Sequence, residues 1–256
     1  IFSEIDLKNK NYIITIPSCE NTVFDCALSC AAVNVFGTDG NNIEIEHSRR
    51  CHVKVSADAN TIKIKQIRKP LFRKTEINIY VPNSCLADIS IKIKHGSVKL
   101  DGGEFKNLNV ECEDAEIGIT ACNLKTAVIT GQKIKMDCAD VSVNDSFICV
   151  AENGEVIAEN SNCTKTDMTF EYGNMGMSGF KCRDSAFRVK EGSINICLHG
   201  AEDDYSLRLL SPNGTCNREN VSGGTYELKA YTGSGNIVVD FANTCTAAQG
   251  DLACGA

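Results

Sequence analysis

A repeating pattern of apolar residues between positions 89 and 201 constrains the fold of this chain more than any other feature. Each repeat unit contains pairs of apolar residues two positions apart, and the first residue of one such pair is taken as position zero of the unit. Counted from position zero, positions −7, −5, +2 and +7 are also apolar, and position −2 is mostly glycine or alanine. Residues that share one position in successive units form a column. The zero positions, whose numbers differ by 19, 17, 22, 19 and 19, are Val98, Ile117, Ile134, Val156, Met175 and Ile194.

Spacing of two between apolar positions is typical of strands with one buried face and excludes a helix. A unit of this size cannot bury its own apolar face, so each unit must stack on the previous one. We therefore predict an all-β fold, a single-stranded, right-handed β-helix or solenoid with coils of about 19 residues. Length changes fall between position +7 and the next strand, which predicts that one corner absorbs the insertions.

The repeat weakens toward both ends and divides the chain into four predicted segments. Ile43, Ile62 and Ile79 extend the zero column backwards from Val98. The predicted segments are 1–82, less regular coils or capping strands of the same elongated domain; 83–201, regular coils; 202–242, C-terminal coils with a long loop; and 243–256, a loosely held tail.

Cysteine is unusually frequent, with 15 residues in the chain. Cys163 and Cys182 share position +7 in consecutive coils, but parallel in-register neighbours hold their Cβ atoms further apart than a relaxed disulfide allows. We predict that a disulfide, if the chain contains one, joins Cys245 and Cys254 in the tail. Cysteines in inward columns act as small hydrophobes, which predicts free, buried thiols at Cys112, Cys149, Cys163 and Cys182.

Composition limits the classes of partner and the compartment. A net charge of −7 argues against a nucleic-acid partner, because phosphate neutralisation needs concentrated Lys and Arg. No apolar run is long enough to span a bilayer. The chain begins with Ile1, from which we expect an exported parent protein, membrane-anchored through a segment absent here. The expected location is extracytoplasmic and associated with the cell envelope, with a cytoplasmic location left open.

Several turn-and-strand segments carry a family resemblance. They are 76–84 (EINIYVPNS), the Gly-Ser turns at Gly96 and Gly192, 204–214 (DYSLRLLSPNG) and 231–241 (YTGSGNIVVDF). Together they resemble the bacterial family called putative adhesin, a domain of unknown function common in Firmicutes. The resemblance implies a β-helical fold and a membrane-anchored envelope protein, and these segments contain no catalytic residues.

We therefore expect a non-enzymatic structural or interaction module of the bacterial cell envelope that binds an unknown protein or glycan. No catalytic, cofactor-binding or metal-ligating residue is predicted. Solenoid partners would bind where the chain protrudes, which is at the variable corner 142–146 and the loop 213–223. The candidate binding residues are Asn144 and Asp145 in the corner, and Asn213, Arg218 and Glu219 in the loop.

Two alternatives remain open at this point. A carbohydrate-active β-helix enzyme would need paired carboxylates and aromatic platforms for sugar rings. The chain has no Trp, and alternating acids are typical of a solvated strand face. The acids concerned are Glu111, Glu113, Asp114 and Glu116. The second alternative is an extracytoplasmic sensory domain of a membrane-anchored protein.

Overall fold

The computed structural model describes residues 2–6, 11–48, 52–68 and 75–242, and in these ranges the protein is built from β-strands. No helix in these ranges is long and apolar enough to cross a membrane. The tail 243–256, with Cys245 and Cys254, lies outside the described residues. The strands are β1 (Phe2–Asp6), β2 (Asn11–Pro17), β3 (Val23–Thr38), β4 (Asn42–Ser48), β5 (Val53–Asp58), β6 (Thr61–Gln66), β7 (Thr75–Pro82), β8 (Ala87–Ala139), β9 (Ser142–Glu159), β10 (Asn162–Glu191), β11 (Ile194–Leu198), β12 (Tyr205–Leu210), β13 (Tyr226–Ser234) and β14 (Ile237–Phe241).

The middle of the chain is a stack of parallel strands in which each segment lies between the preceding and the following unit of the repeat. Met175 of β10 pairs with Val156 of β9 on one side and with Ile194 of β11 on the other. Ile194 in turn pairs with Ile237 of β14. The six predicted zero positions are at most 1% exposed, so their predicted burial is confirmed. This register is that of a solenoid-like stack with one continuous apolar interior.

The register differs from the prediction in one coil. Val156 pairs with Met136, and Ile134 pairs with Gly154. Every predicted column in this coil is therefore displaced by two positions, and the zero position of the coil is Met136. Because side chains alternate with a period of two, a displacement of two keeps the same face inward. Ile134 is accordingly still only 1% exposed, although its neighbours differ from those predicted.

The corner 142–146 does not protrude as predicted. Leu124 and Cys163 both pair with Val143, and the next pairs join Thr126 and Lys165 to Ser146. Two residues in β9 therefore stand where each neighbouring strand has one, which is a β-bulge. Length variation in the stack is thus smaller than predicted, because part of the apparent variation came from the displaced coil. The predicted column at +7 also ends early, since Ala201 is exposed.

Antiparallel strands close the N-terminal end, where the sheet order is β1, β2, β4, β7, β3, β8. Val33 of β3 pairs with both Ile77 of β7 and Val98 of β8, so β3 lies between two strands that follow it in sequence. The predicted backward extension of the zero column is wrong as a result. Ile62 pairs with Phe24 instead, and the antiparallel strands cover the edge of the stack.

The C-terminal end has a similar exchange of order. Strand β13 lies between β10 and β12, although β12 precedes it in the chain. On the edge of β14 that faces away from β11, the N–H of Ile237 donates to the carbonyl of Thr215 at 2.9 Å, and the N–H of Asn217 donates to the carbonyl of Ile237 at 3.2 Å. The segment that contains β12 and the loop 213–223 therefore covers β13 and β14, which follow it in sequence.

Candidate functional site: a glycine-lined corner groove

The predicted binding residues of the C-terminal loop are held by contacts within the chain. The Nδ2 of Asn213 donates to the carbonyl of Gly233 at 3.0 Å. Arg218 donates from Nε to the carbonyl of Val239 at 3.2 Å and lies 3.1 Å from a carboxylate oxygen of Glu202. Its guanidinium also lies 5.7 Å from the ring centre of Phe241. Asn213 thus fastens the loop to β13 and Arg218 fastens it to β14, and Glu219 is exposed on the same loop.

The same loop covers the outer edge of β12. Leu207 and Val221 exchange backbone hydrogen bonds of 2.8 and 3.1 Å. The N–H of Leu209 donates to Oδ1 of Asn220 at 2.6 Å. Pairing these groups prevents the strand edge from joining another chain. The loop therefore has a clear structural role at the end of the stack.

Asn144 and Asp145 are not brought together with the loop residues. They are exposed in the bulge of β9, whereas the loop lies against β14. In the sheet, β10 and β11 separate β9 from β14. The two predicted groups therefore belong to different places on the surface and cannot be treated as one site.

A groove of 440 Å³ runs along the corner where successive coils turn at position −2. Four residues of the −2 column form its floor, and exposed polar residues at −3 and −1 form its walls. The floor consists of Ala115, Ile134, Gly154 and Gly173. The walls consist of Asp114, Lys133, Asn153 and Tyr172 on one side and Glu116, Lys135, Glu155 and Asn174 on the other.

Glycine is required at two of the four floor positions of this groove. Gly173 has a φ of +136°, and a Cβ atom added to Gly154 would lie 2.5 Å from the ring of Phe170. Glycine adopts such a backbone without steric cost and lets a neighbouring backbone or ring approach closely. The glycines carry no side chain and the side chains of Ala115 and Ile134 are buried, so the wall residues on either side border an open channel.

The walls mix both charges with one aromatic ring. Lys133, Asn153 and Tyr172 lie side by side in register, and Tyr172 is 42% exposed. The ammonium of Lys133 lies 3.9 Å from the carboxylate of Asp114. Asn174 accepts the N–H of Ser193 on its Oδ1 at 2.9 Å. The groove thus offers hydrogen-bond donors, acceptors and a stacking surface.

Most of the acids considered for an enzyme are paired with lysines one coil away. Glu111 lies 2.7 Å from Lys92, and this hydrogen-bonded pair raises the pKa of Lys92. Glu113 lies 2.8 Å from Lys94 in the same way. These exposed ion pairs connect neighbouring coils on the outer face. Among the described residues, no group of three or more His, Cys, Asp or Glu side chains could hold a metal ion.

The interior contains the cysteines predicted there, and the twelve cysteines of the described residues are all free. Burial raises the pKa of the Cys149 and Cys163 thiols to about 12 and that of Cys112 to about 11. The pKa of Cys182 is raised by burial as well. At neutral pH these side chains are therefore protonated and unreactive.

The stacked parallel strands, the closed ends and the glycine corners define a class of all-β, solenoid-like proteins. Residues 2–252 match the family model Toastrack DUF4097, and the chain belongs to that family. This agrees with the resemblance to the putative adhesin family. No curated protein matches the chain.

Two solved structures are among those similar to this chain. A putative adhesin from Parabacteroides distasonis has a TM-score of 0.50 and 12% identity, covering 91% of this chain and 97% of that one. A putative adhesin from Bacteroides fragilis has a TM-score of 0.49 and 13% identity, covering 90% and 97%. At such identities the likeness concerns the fold alone.

Proposed function

We propose that this protein is a non-enzymatic interaction module of the bacterial cell envelope, similar in role to an adhesin, and that it binds a protein or glycan through the corner groove. The name of its structural neighbour from Parabacteroides distasonis supports an adhesion-like role. The observation on which the proposal chiefly rests is the groove, which places unused polar groups and an exposed ring along a rigid stack.

Three charged wall residues of the groove are available to bind a partner. Within the described ranges, Glu116, Lys135 and Glu155 form no ion pair with another residue of the chain. By contrast, Arg218 in the C-terminal loop is already engaged by Glu202 and Asp240. A partner in the groove would therefore displace mainly water, whereas a partner on the loop would have to compete with existing contacts.

We also propose that the coils form a single-stranded, right-handed β-helix of about 19 residues per coil, within an envelope protein anchored to the membrane by a segment outside this sequence. The offsets in sequence between the paired residues Val156, Met175 and Ile194 support the coil length. An experimental structure would test the hand of the coil, and fractionation of cells expressing the full gene would test the compartment.

Bead retention tests the binding role. Beads coated with wild-type protein should be retained on isolated Firmicutes cell walls or on immobilised mucin. The triple variant Lys135→Ser, Glu155→Ser, Tyr172→Ala should reduce retention at least 10-fold. Two matched variants test the other predicted binding residues. The double variant Asn144→Ala, Asp145→Ala tests the bulge, and Glu219→Ala tests the loop. Equal retention of the groove variant, or no retention of the wild type on either surface, contradicts the proposal.

A further inference from the structure

We propose that the corner groove binds an extended, uncharged glycan strand that runs along the stack, with one sugar ring lying on Tyr172. This inference rests on the proposed function and specifies the chemical class of the ligand in the same groove. It follows from four properties of the groove: its aromatic ring and amides, its blocked backbone, its repeat distance and its charge.

The first property is the position of the ring and the amides. Tyr172 is 42% exposed in the groove wall, with Asn153 beside it in register and Asn174 across the glycine corner. The apolar face of a sugar ring stacks on an aromatic ring, and its hydroxyl groups pair with planar amides. Because Asn174 Oδ1 already accepts the Ser193 N–H, its Nδ2 is the group left to donate to a ligand hydroxyl.

The second property concerns the backbone, which cannot bind an extended peptide. The segment 153–155 pairs with 133–135 on one side and with 172–174 on the other. Its strand edges are therefore covered by neighbouring coils. Peptides that bind as an added strand need a free edge for main-chain hydrogen bonds. Recognition in this groove is left to side chains, which suits a glycan better.

The third property is the spacing between levels. Neighbouring strands lie about 4.8 Å apart, whereas peptide side chains on one face recur about every 6.6 Å. An extended chain of pyranose sugars advances along its axis by about the length of one sugar ring per sugar, which is close to the spacing of the coils. A glycan running along the stack can therefore present one sugar to each successive level of the walls.

The fourth property is the balance of charge. The walls carry Asp114, Glu116 and Glu155 against Lys133 and Lys135. A strongly anionic polymer would meet three carboxylates, and a strongly cationic one would meet two ammonium groups. The mixture therefore favours a glycan with little net charge, in which hydroxyl or amide groups accept from lysine and donate to glutamate.

The test is an NMR titration of uniformly ¹⁵N-labelled protein with four probes: cellohexaose, chitohexaose, a heparin hexasaccharide and a polar, unstructured hexapeptide. We expect one of the two neutral hexasaccharides to shift the side-chain amide signals of Asn153 and Asn174 and the backbone signals of Gly154 and Gly173. The heparin fragment and the peptide should shift them at least 10-fold less at equal concentration.

Matched tyrosine variants test the stacking. Tyr172→Ala should weaken Kd at least 10-fold, while Tyr172→Phe should stay within 2-fold because the ring remains. Tyr231, which is 39% exposed outside the groove, provides the control. Tyr231→Ala should leave Kd unchanged, and thermal melts should show both alanine variants folded. Equal Kd values for Tyr172→Ala and Tyr231→Ala overturn the stacking role.

The outcomes separate this inference from the proposed function. If neither neutral hexasaccharide shifts the groove signals but the triple groove variant still loses bead retention, the ligand is not this class of glycan and the interaction role stands. Stronger shifts with the peptide would assign a protein ligand instead. If bead retention is also independent of the groove, both proposals are wrong.

Discussion

A Cβ atom on Gly173 would lie 1.7 Å from the carbonyl oxygen of Gly154. The same relationship recurs one coil later, where a Cβ on Gly192 would lie 1.7 Å from the carbonyl oxygen of Gly173. At Gly173 and Gly192 the corner thus rests directly on the backbone of the corner before it. Glycine is the residue that permits this contact at these two positions, because a Cβ atom on either one would overlap the carbonyl oxygen of the preceding coil.

We expect Gly173→Ala to lower the free energy of unfolding by about 3 kcal/mol or more, since it combines a backbone clash with a positive φ. Gly176→Ala is the matched control. Its Cβ would lie 3.8 Å from the carbonyl oxygen of Val156, an ordinary contact. Urea unfolding followed by circular dichroism measures both, and equal midpoints would refute the tight corner.

Val156→Asp should be severely destabilising. Val156 is 1% exposed, and an aspartate there would bury an unpaired charge in a continuous apolar core. We expect a loss of about 4 kcal/mol or failure to fold. The neighbouring Ile157 is 44% exposed, so Ile157→Asp should change stability by about 0.5 kcal/mol or less. Differential scanning calorimetry distinguishes the two variants, and similar Tm values would contradict the assigned face.

Buried thiols should react only after unfolding. With iodoacetamide at pH 8, the half-exposed Cys19 and Cys216 should be labelled in the native protein. Mass spectrometry should show labelling of four cysteines in the inward columns only in denaturant without reductant, because burial raises their pKa and blocks access. These are Cys112, Cys149, Cys163 and Cys182. Failure to label in denaturant would mean that they are oxidised.

Stability should depend on pH through His47. This ring is 8% exposed and lies 5.5 Å from the ring of Tyr12, and burial lowers the pKa of His47 below 6.5. A lowered pKa means that the folded state resists protonation, so this stability is present above pH 6.5 and lost as the pH falls below it. The Tm of the wild type should fall more between pH 7.5 and 5.0 than that of His47→Gln. Parallel slopes would show that His47 does not contribute.

Deletions at the β9 bulge test its size. Removing Asp145 alone should change stability by about 0.5 kcal/mol or less, because one residue there is extra relative to both neighbouring strands. Removing both Asn144 and Asp145 should cost about 2 kcal/mol or more, since the coil would then be shorter than its neighbours and out of register. Thermal melting compares the two deletions. Equal Tm values would support a loose, protruding corner instead.

The apolar period was sufficient to predict strands, a stacked fold and the buried columns, but it could not determine register everywhere. Ile134 and Met136 are both apolar and face the same way, so either could occupy the zero position. Only hydrogen bonding across coils distinguishes them. The error affected the groove directly, because Lys133 and Lys135 flank position −2 only in the observed register, where Ile134 occupies that position.

The two ends were unpredictable for a different reason. A sequence repeat predicts that each strand pairs with the strands before and after it in the chain. In the structure, however, β3 lies between β7 and β8, and β13 lies between β10 and β12. Nothing in the period of Val33 or Ala230 indicates this exchange. The role of Arg218 in fastening the loop to β14 was similarly hidden, because a polar, turn-rich loop is also typical of a free surface loop.

The order of strands at the C-terminal end has a consequence for how the protein is made. Among the described residues, Tyr205–Leu210 pairs with β13, which is synthesised after it, and is bridged by Val221. On a ribosome this strand therefore emerges before its main partner exists, and a chain stopped before residue 226 would present an open edge. This end of the stack can therefore close only after β13 and β14 have been synthesised, so the strands that seal it are made later than the segment that they hold in place.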